Sequence, residues 1–179
     1  PRALLNEANP ERGATHFGDR IAGAATAGAL TVYEDWTANL IVVLATVLAV
    51  SAAVMVHYEG LSLLSQWLAR RREQHPRRKV LYGIFGVLSL HIIEIWIFGF
   101  AVWVALMFAN TGSVYGSPAT TLLDAVYLAA VTYTTVGFGD LAPVGPIRFI
   151  SGTMALTGLV LITWSASFTF LEMERYWRR

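Results

Sequence analysis

Cysteine is absent from the 179 residues, which excludes disulfides, thiolate metal sites and cysteine nucleophiles. Charge is scarce too. Charged residues make up 14% of the chain against 55% hydrophobic, so a fold surrounded by water would lack polar cover. The formal net charge of +1 gives no field that would draw nucleic acid or an acidic substrate. The four histidines (16, 57, 75 and 91) are scattered, and no nucleophile–base pair or metal triad accompanies them. The string HIIEIW around His91 and Glu94 lacks the HExxH spacing of zinc proteases. These absences argue against an enzyme, and no cofactor motif is present. No helix-forming stretch repeats arginine every third residue, which excludes a voltage-sensing helix. What remains is a few charges segregated from long apolar runs, the composition of a membrane protein.

Residues 1–36 are rich in Ala, Gly, Thr and Asn, with five acidic and three basic residues and weak periodicity, and read as an extracellular or interfacial arm. Thr37 to Val56 carries no charge, and twenty helical residues rise about 30 Å, the thickness of the hydrocarbon core. His57 to Ala69 mixes Leu with Glu59, Ser and Trp67 and reads as an interfacial extension of that helix, so residues 37–69 form one unit. The loop 70–79 follows, with Arg70, Arg71, Arg72, Arg77, Arg78 and Lys79 against one acidic residue. Pro76 is expected to interrupt any helix there. Val80 to Phe108 is a second spanning helix whose ionisable residues are His91 and Glu94. Ile147 to Leu171 is a third, ahead of a charged tail at 172–179.

The stretch Thr121 to Pro146 fits none of these. Its first part, TLLDAVYLAAVTY, is helical in pattern but too short to span, and Thr121 with Asp124 resembles a capping box. TTVGFGDLAPVGP then carries three glycines and two prolines, which stop the helix. Irregular backbone at membrane depth is tolerated only inside protein or against a water-filled cavity. A re-entrant loop between two spanning helices is the architecture this predicts. Lys and Arg counts in the short loops set its orientation: six in 70–79, three in the tail and none in 109–120. The basic loop and C-terminus are therefore expected in the cytoplasm, and the N-terminus and re-entrant loop outside, in a multi-pass protein of the cell (inner) membrane. The same basic loop suits anionic lipid head groups.

Thr134-Thr135-Val136-Gly137-Phe138-Gly139-Asp140 resembles the filter signature of potassium channels. A K⁺ ion losing its water shell needs a cage of oxygens, which consecutive backbone carbonyls turned to one axis supply. Turning them so requires conformations that L-residues resist, hence glycine at 137 and 139. Over residues 80–171 the chain is similar to the two-helix bacterial potassium channels, with the helix 37–69 lying outside the resemblance. Packing around the pore unit is the role expected for that extra helix. The resemblance implies an all-α membrane protein of three transmembrane helices with a re-entrant pore helix and selectivity filter. It also implies a fourfold homotetramer in which each chain lends a quarter of the filter. K⁺ would sit at Thr135, Val136, Gly137 and Phe138, with Gly139 completing the filter and Thr134, Asp140, Val131 and Tyr127 supporting it. Gly158 falls at the inner-helix hinge. The chain departs from the pattern at Phe138, where a tyrosine hydroxyl is commoner, and at Val131, where some members carry a glutamate that pairs with the filter aspartate. Tyr127 and Leu128 replace frequent tryptophans. Gly152, Ala155 and Gly158 also form a small-residue seam. His91 and Glu94, three apart, share a helix face with Ile95, Phe98 and Val102 and are expected to form an intramembrane polar pair turned toward protein, opposite a lipid-facing side of Trp96, Phe100, Trp103 and Met107.

Overall fold

In a computed structural model, the structure describes residues 35–70, 76–117 and 119–177. The arm at 1–34, Arg71, Arg72, Pro118 and the last two residues lie outside the described residues, and Arg77 is described in its backbone only. Helix α1 runs from Trp36 to Arg70, α2 from Pro76 to Ala105, a short α3 from Leu122 to Tyr133 and α4 from Arg148 to Trp177. Three of these helices, α1, α2 and α4, are long and apolar enough to cross a membrane. Large side chains such as Leu40, Leu44, Leu48, Phe85, Phe100, Leu156 and Leu159 stand exposed along them. An exposed apolar surface of that extent suits lipid rather than water.

Two of the spanning helices differ from their sequence reading at an end. Pro76 opens α2 rather than interrupting a helix, because the first helical position needs no N–H and is preset by proline's fixed φ. The far end of α2 falls at Ala105, not Phe108: the Thr111 hydroxyl donates toward the carbonyl oxygens of Ala105 (2.7 Å) and Phe108 (2.9 Å), and the chain turns there. Helix α4 carries on through the charged residues after Leu171 to Trp177. Helix α1 passes His57 without a break.

Helix α1 buries Ala38, Val42, Thr46, Ala49, Ala53, His57 and Leu61, one stripe recurring every three or four residues. Small residues on that stripe let α1 lie close to α2 and α4. At one end of α1, Asp35 accepts from the N–H groups of Thr37 (3.0 Å) and Ala38 (3.3 Å), satisfying orphan donors of the first turn. Asn110, just past α2, donates to the other oxygen of Asp35 at 3.0 Å and ties the two helices. The bonds from the Thr37 hydroxyl and Asn110 hold the Asp35 carboxyl down at about 2.

Two short strands were not legible in the sequence. β1 (Ser113–Tyr115) pairs antiparallel with β2 (Ala142–Val144), Val114 opposite Pro143, and closes the linker after α2 onto the segment that enters α4. The core lies where α3 is enclosed. Val102, Ala125, Leu128, Ile147 and Ile150 pack at one level, and Phe98, Ala129, Tyr133, Met154 and Leu161 at the next.

Candidate functional site: a filter loop and the polar cluster behind it

Helix α3 begins as its sequence implies. Thr121 caps it and the capping box is complete: the Asp124 N–H donates to the Thr121 hydroxyl at 3.2 Å, and the Asp124 carboxylate takes the Thr121 N–H at 2.9 Å. That backbone bond, with the Thr121 hydroxyl, holds the Asp124 carboxyl below its ordinary value. The helix ends at Tyr133 with Thr134 as its cap, so its partially negative carboxyl end meets the first residues of the loop.

Past the cap the backbone adopts a left-handed φ at every second residue: Thr135 at 60°, Gly137 at 53° and Gly139 at 82°. The two glycines accept this without cost, whereas Thr135 is a strained non-glycine position that its surroundings must hold. They do so from α3, whose last turn supplies carbonyls to the loop: Thr132 accepts from the Thr135 N–H at 2.9 Å and Val131 from the Gly137 N–H at 3.0 Å. Val131 is buried, so it supports the loop through its carbonyl. The Thr134 hydroxyl donates back to Ala130 at 2.8 Å. At the other end, the Tyr127 hydroxyl donates to Asp140 at 2.8 Å and clamps the loop exit to α3. Tyr127 thus provides a tie that neither Phe138 nor Val131 can make. Every residue from Thr134 to Asp140 is exposed, Val136 at 56% and Phe138 at 71%.

Gly158 is not free space in α4. A Cβ there would lie 2.1 Å from the Tyr133 carbonyl oxygen, so its lack of a side chain is what lets α4 touch the end of α3. Gly152, by contrast, has nothing within 4 Å, so of the two glycines in the expected small-residue seam Gly158 is the one packed within the chain.

Behind the loop, His91 and Glu94 do bond, Nδ1 to Oε2 at 2.9 Å, with Glu94 fully buried. Phe98 and Val102 are buried on the same side and Trp96, Phe100 and Met107 exposed on the other, while Trp103 is half-buried. The view of the histidines as scattered needs correcting. His57, fully buried rather than interfacial, reaches across from α1 and its Nδ1 meets Glu94 Oε1 at 2.7 Å. The Tyr133 hydroxyl donates to Glu94 Oε2 as well. Neither His57 nor Tyr133 was singled out in the sequence. The signal was available for His57, which continues the stripe of Ala49 and Ala53 at four-residue steps. His16 and His75 lie outside the described residues. The ligand atoms of His57, His91 and Glu94 fall within 4.8 Å of one another, a donor set that zinc accepts. They bond directly to each other, however, so a metal would have to displace those contacts.

A sequence profile of a family described as "Ion channel" matches residues 80–174, more than half of the chain. The chain belongs to this ion-channel family. It is a transport protein, and most of α2, α3, the loop and most of α4 make up the matched span, with α1 outside it. Among curated proteins the channel chain is similar to Protein LctB of Geobacillus stearothermophilus, 29% identical over 126 residues, covering 64% of this chain and 88% of the relative. No solved structure matches.

Proposed function

We propose that the chain is a subunit of a homotetrameric, potassium-selective channel whose filter is Thr135-Val136-Gly137-Phe138-Gly139. The observation that carries this is the left-handed φ at 135, 137 and 139. In an ordinary strand successive carbonyls point to opposite sides, and reversing every second residue is the way to bring them to one side. A row of carbonyls on one side, at the carboxyl end of a helix, is a surface for dehydrated cations. K⁺ then occupies levels bounded by Thr135, Val136, Gly137 and Phe138, and the ties of Thr134, Val131, Tyr127 and Asp140 keep the row in shape. A single chain supplies one wall. Its exposed Val136 and Phe138 and its open carbonyls need partners at membrane depth, which three further copies around a closed axis provide.

Purified protein in liposomes tests the reading. We expect K⁺ uptake against a counter-gradient at least about a hundredfold faster than Na⁺ uptake, on the order of 3 kcal/mol of discrimination. Equal fluxes would overturn potassium selectivity and leave a nonselective cation channel.

The orientation follows from the basic residues: the cell membrane holds the chain with its N-terminus outside and its C-terminus in the cytoplasm. The loop carrying Arg70, Arg71, Arg72, Arg77, Arg78 and Lys79 then faces the anionic lipids of the inner leaflet. Because the chain has no cysteine, a single one reports topology cleanly. Tyr115→Cys, on an exposed strand residue, should react in intact cells with a membrane-impermeant thiol reagent, and Gln74→Cys should not. The opposite labelling would reverse the orientation.

A further inference from the structure

Three donors converge on one buried carboxylate, and they come from three helices. His57 on α1 bonds Glu94 Oε1, while His91 on α2 and Tyr133 at the end of α3 both bond Oε2. Helix α4 closes the cluster with neutral groups: Trp164 lies 5.3 Å from the His57 ring, and Ser165 Oγ lies 3.5 Å from its Nε2. His91 Nδ1 also reaches the Tyr133 hydroxyl, at 3.1 Å. An ionised carboxylate only accepts, so it can hold all three donors at once, and charge-assisted bonds of this kind are the stronger sort.

Tyr133 is the last residue of α3, directly before Thr134 and Thr135. Its hydroxyl is held by Glu94, and its carbonyl is pressed against Gly158 of α4. The start of the loop is therefore fixed from behind by side-chain chemistry as well as by the helix itself.

We infer that Glu94 is a positioning residue for the filter and that α1 acts on conduction through it: His57 holds the carboxylate that holds Tyr133. This gives the helix outside the ion-channel match a role in ion discrimination and rests on the filter reading above.

The test uses the full chain, reconstituted as wild type, His57→Gln, Glu94→Gln, Tyr133→Phe and the Glu94→Gln/Tyr133→Phe double variant. Tyr133→Phe removes one oxygen and keeps the ring in place, so it preserves folding. Tetramer content is read by size-exclusion chromatography, and K⁺ and Na⁺ fluxes are read at pH 7.5. Glu94→Gln and Tyr133→Phe should each cut the K⁺/Na⁺ ratio about tenfold at pH 7.5, the effect of one charge-assisted bond. The double variant should be no worse than either single one. His57→Gln should shift the ratio in the same direction. Intact tetramers of all variants with wild-type selectivity would overturn the inference while leaving the potassium channel standing. One Zn²⁺ bound per wild-type chain and lost in His57→Gln would also overturn it, in favour of a metal centre. A wild-type protein without K⁺ preference would overturn the filter reading and this inference with it.

Discussion

Gly137→Ala is expected to abolish potassium flux in reconstituted protein. The cause is conformational. A Cβ at this position would meet nothing within 4 Å in its own chain, so space alone does not forbid it. The φ of 53° does, since a left-handed conformation costs an alanine roughly 1–2 kcal/mol. Four copies around one axis would multiply that to roughly 4–8 kcal/mol per pore, a large share of the stability of a whole domain. Relaxing the strain flips the peptide, breaks the bond from the Gly137 N–H to Val131 and turns a carbonyl away from the row. Flux at background, from a protein that still assembles, is the expected result. Wild-type flux and selectivity in the variant would remove residues 135–139 from the conduction path.

Gly158→Ala should destabilise the folded protein strongly. The added carbon would sit 2.1 Å from the Tyr133 carbonyl oxygen and 2.9 Å from the Tyr133 ring, and the nearer obstacle is backbone that no rotamer change can clear. Helix α4 must then move off the end of α3 by about 1 Å, the overpacking situation that costs about 1–3 kcal/mol in a well-packed core. The measurement is the temperature at which half of the folded protein is lost, compared with Gly152→Ala, where the new side chain enters open space in the chain. A hinge glycine would behave otherwise. An alanine in a hinge leaves the resting structure intact and changes how readily the helix bends. Unchanged stability with altered opening would therefore restore the hinge and defeat the packing account.

Several features could be read without coordinates because their causes are local. An uncharged run such as Thr37 to Val56 has one comfortable environment, whatever packs beside it. Thr121 and Asp124 cap α3 through bonds spanning three residues, so the pair announces the helix start by itself. The glycines of the loop after α3 mark a backbone that other residues resist, and two of the three left-handed positions were legible for that reason. Thr135 was not, since nothing in its side chain asks for φ of 60°; the bond to Thr132 imposes it. The face of α2 that carries Glu94 could be foreseen from helical spacing, but its partners could not. His57 stands 37 residues from Glu94 and Tyr133 stands 39 residues away, separations across which no periodicity speaks.

The amino-acid sequence by itself determined three helices long and apolar enough to cross a membrane among the described residues, and a capped, interrupted loop between the last two. Hydrophobic length, capping and glycine placement act within a few residues, and burial in lipid adds no further choice. Tertiary structure alone decided what lies behind the loop. It set Gly158 against Tyr133, joined Tyr127 to Asp140, and gathered His57, His91 and Tyr133 around Glu94. Those contacts depend on how α1, α2, α3 and α4 rotate and approach one another, and that is fixed only when all four pack at once.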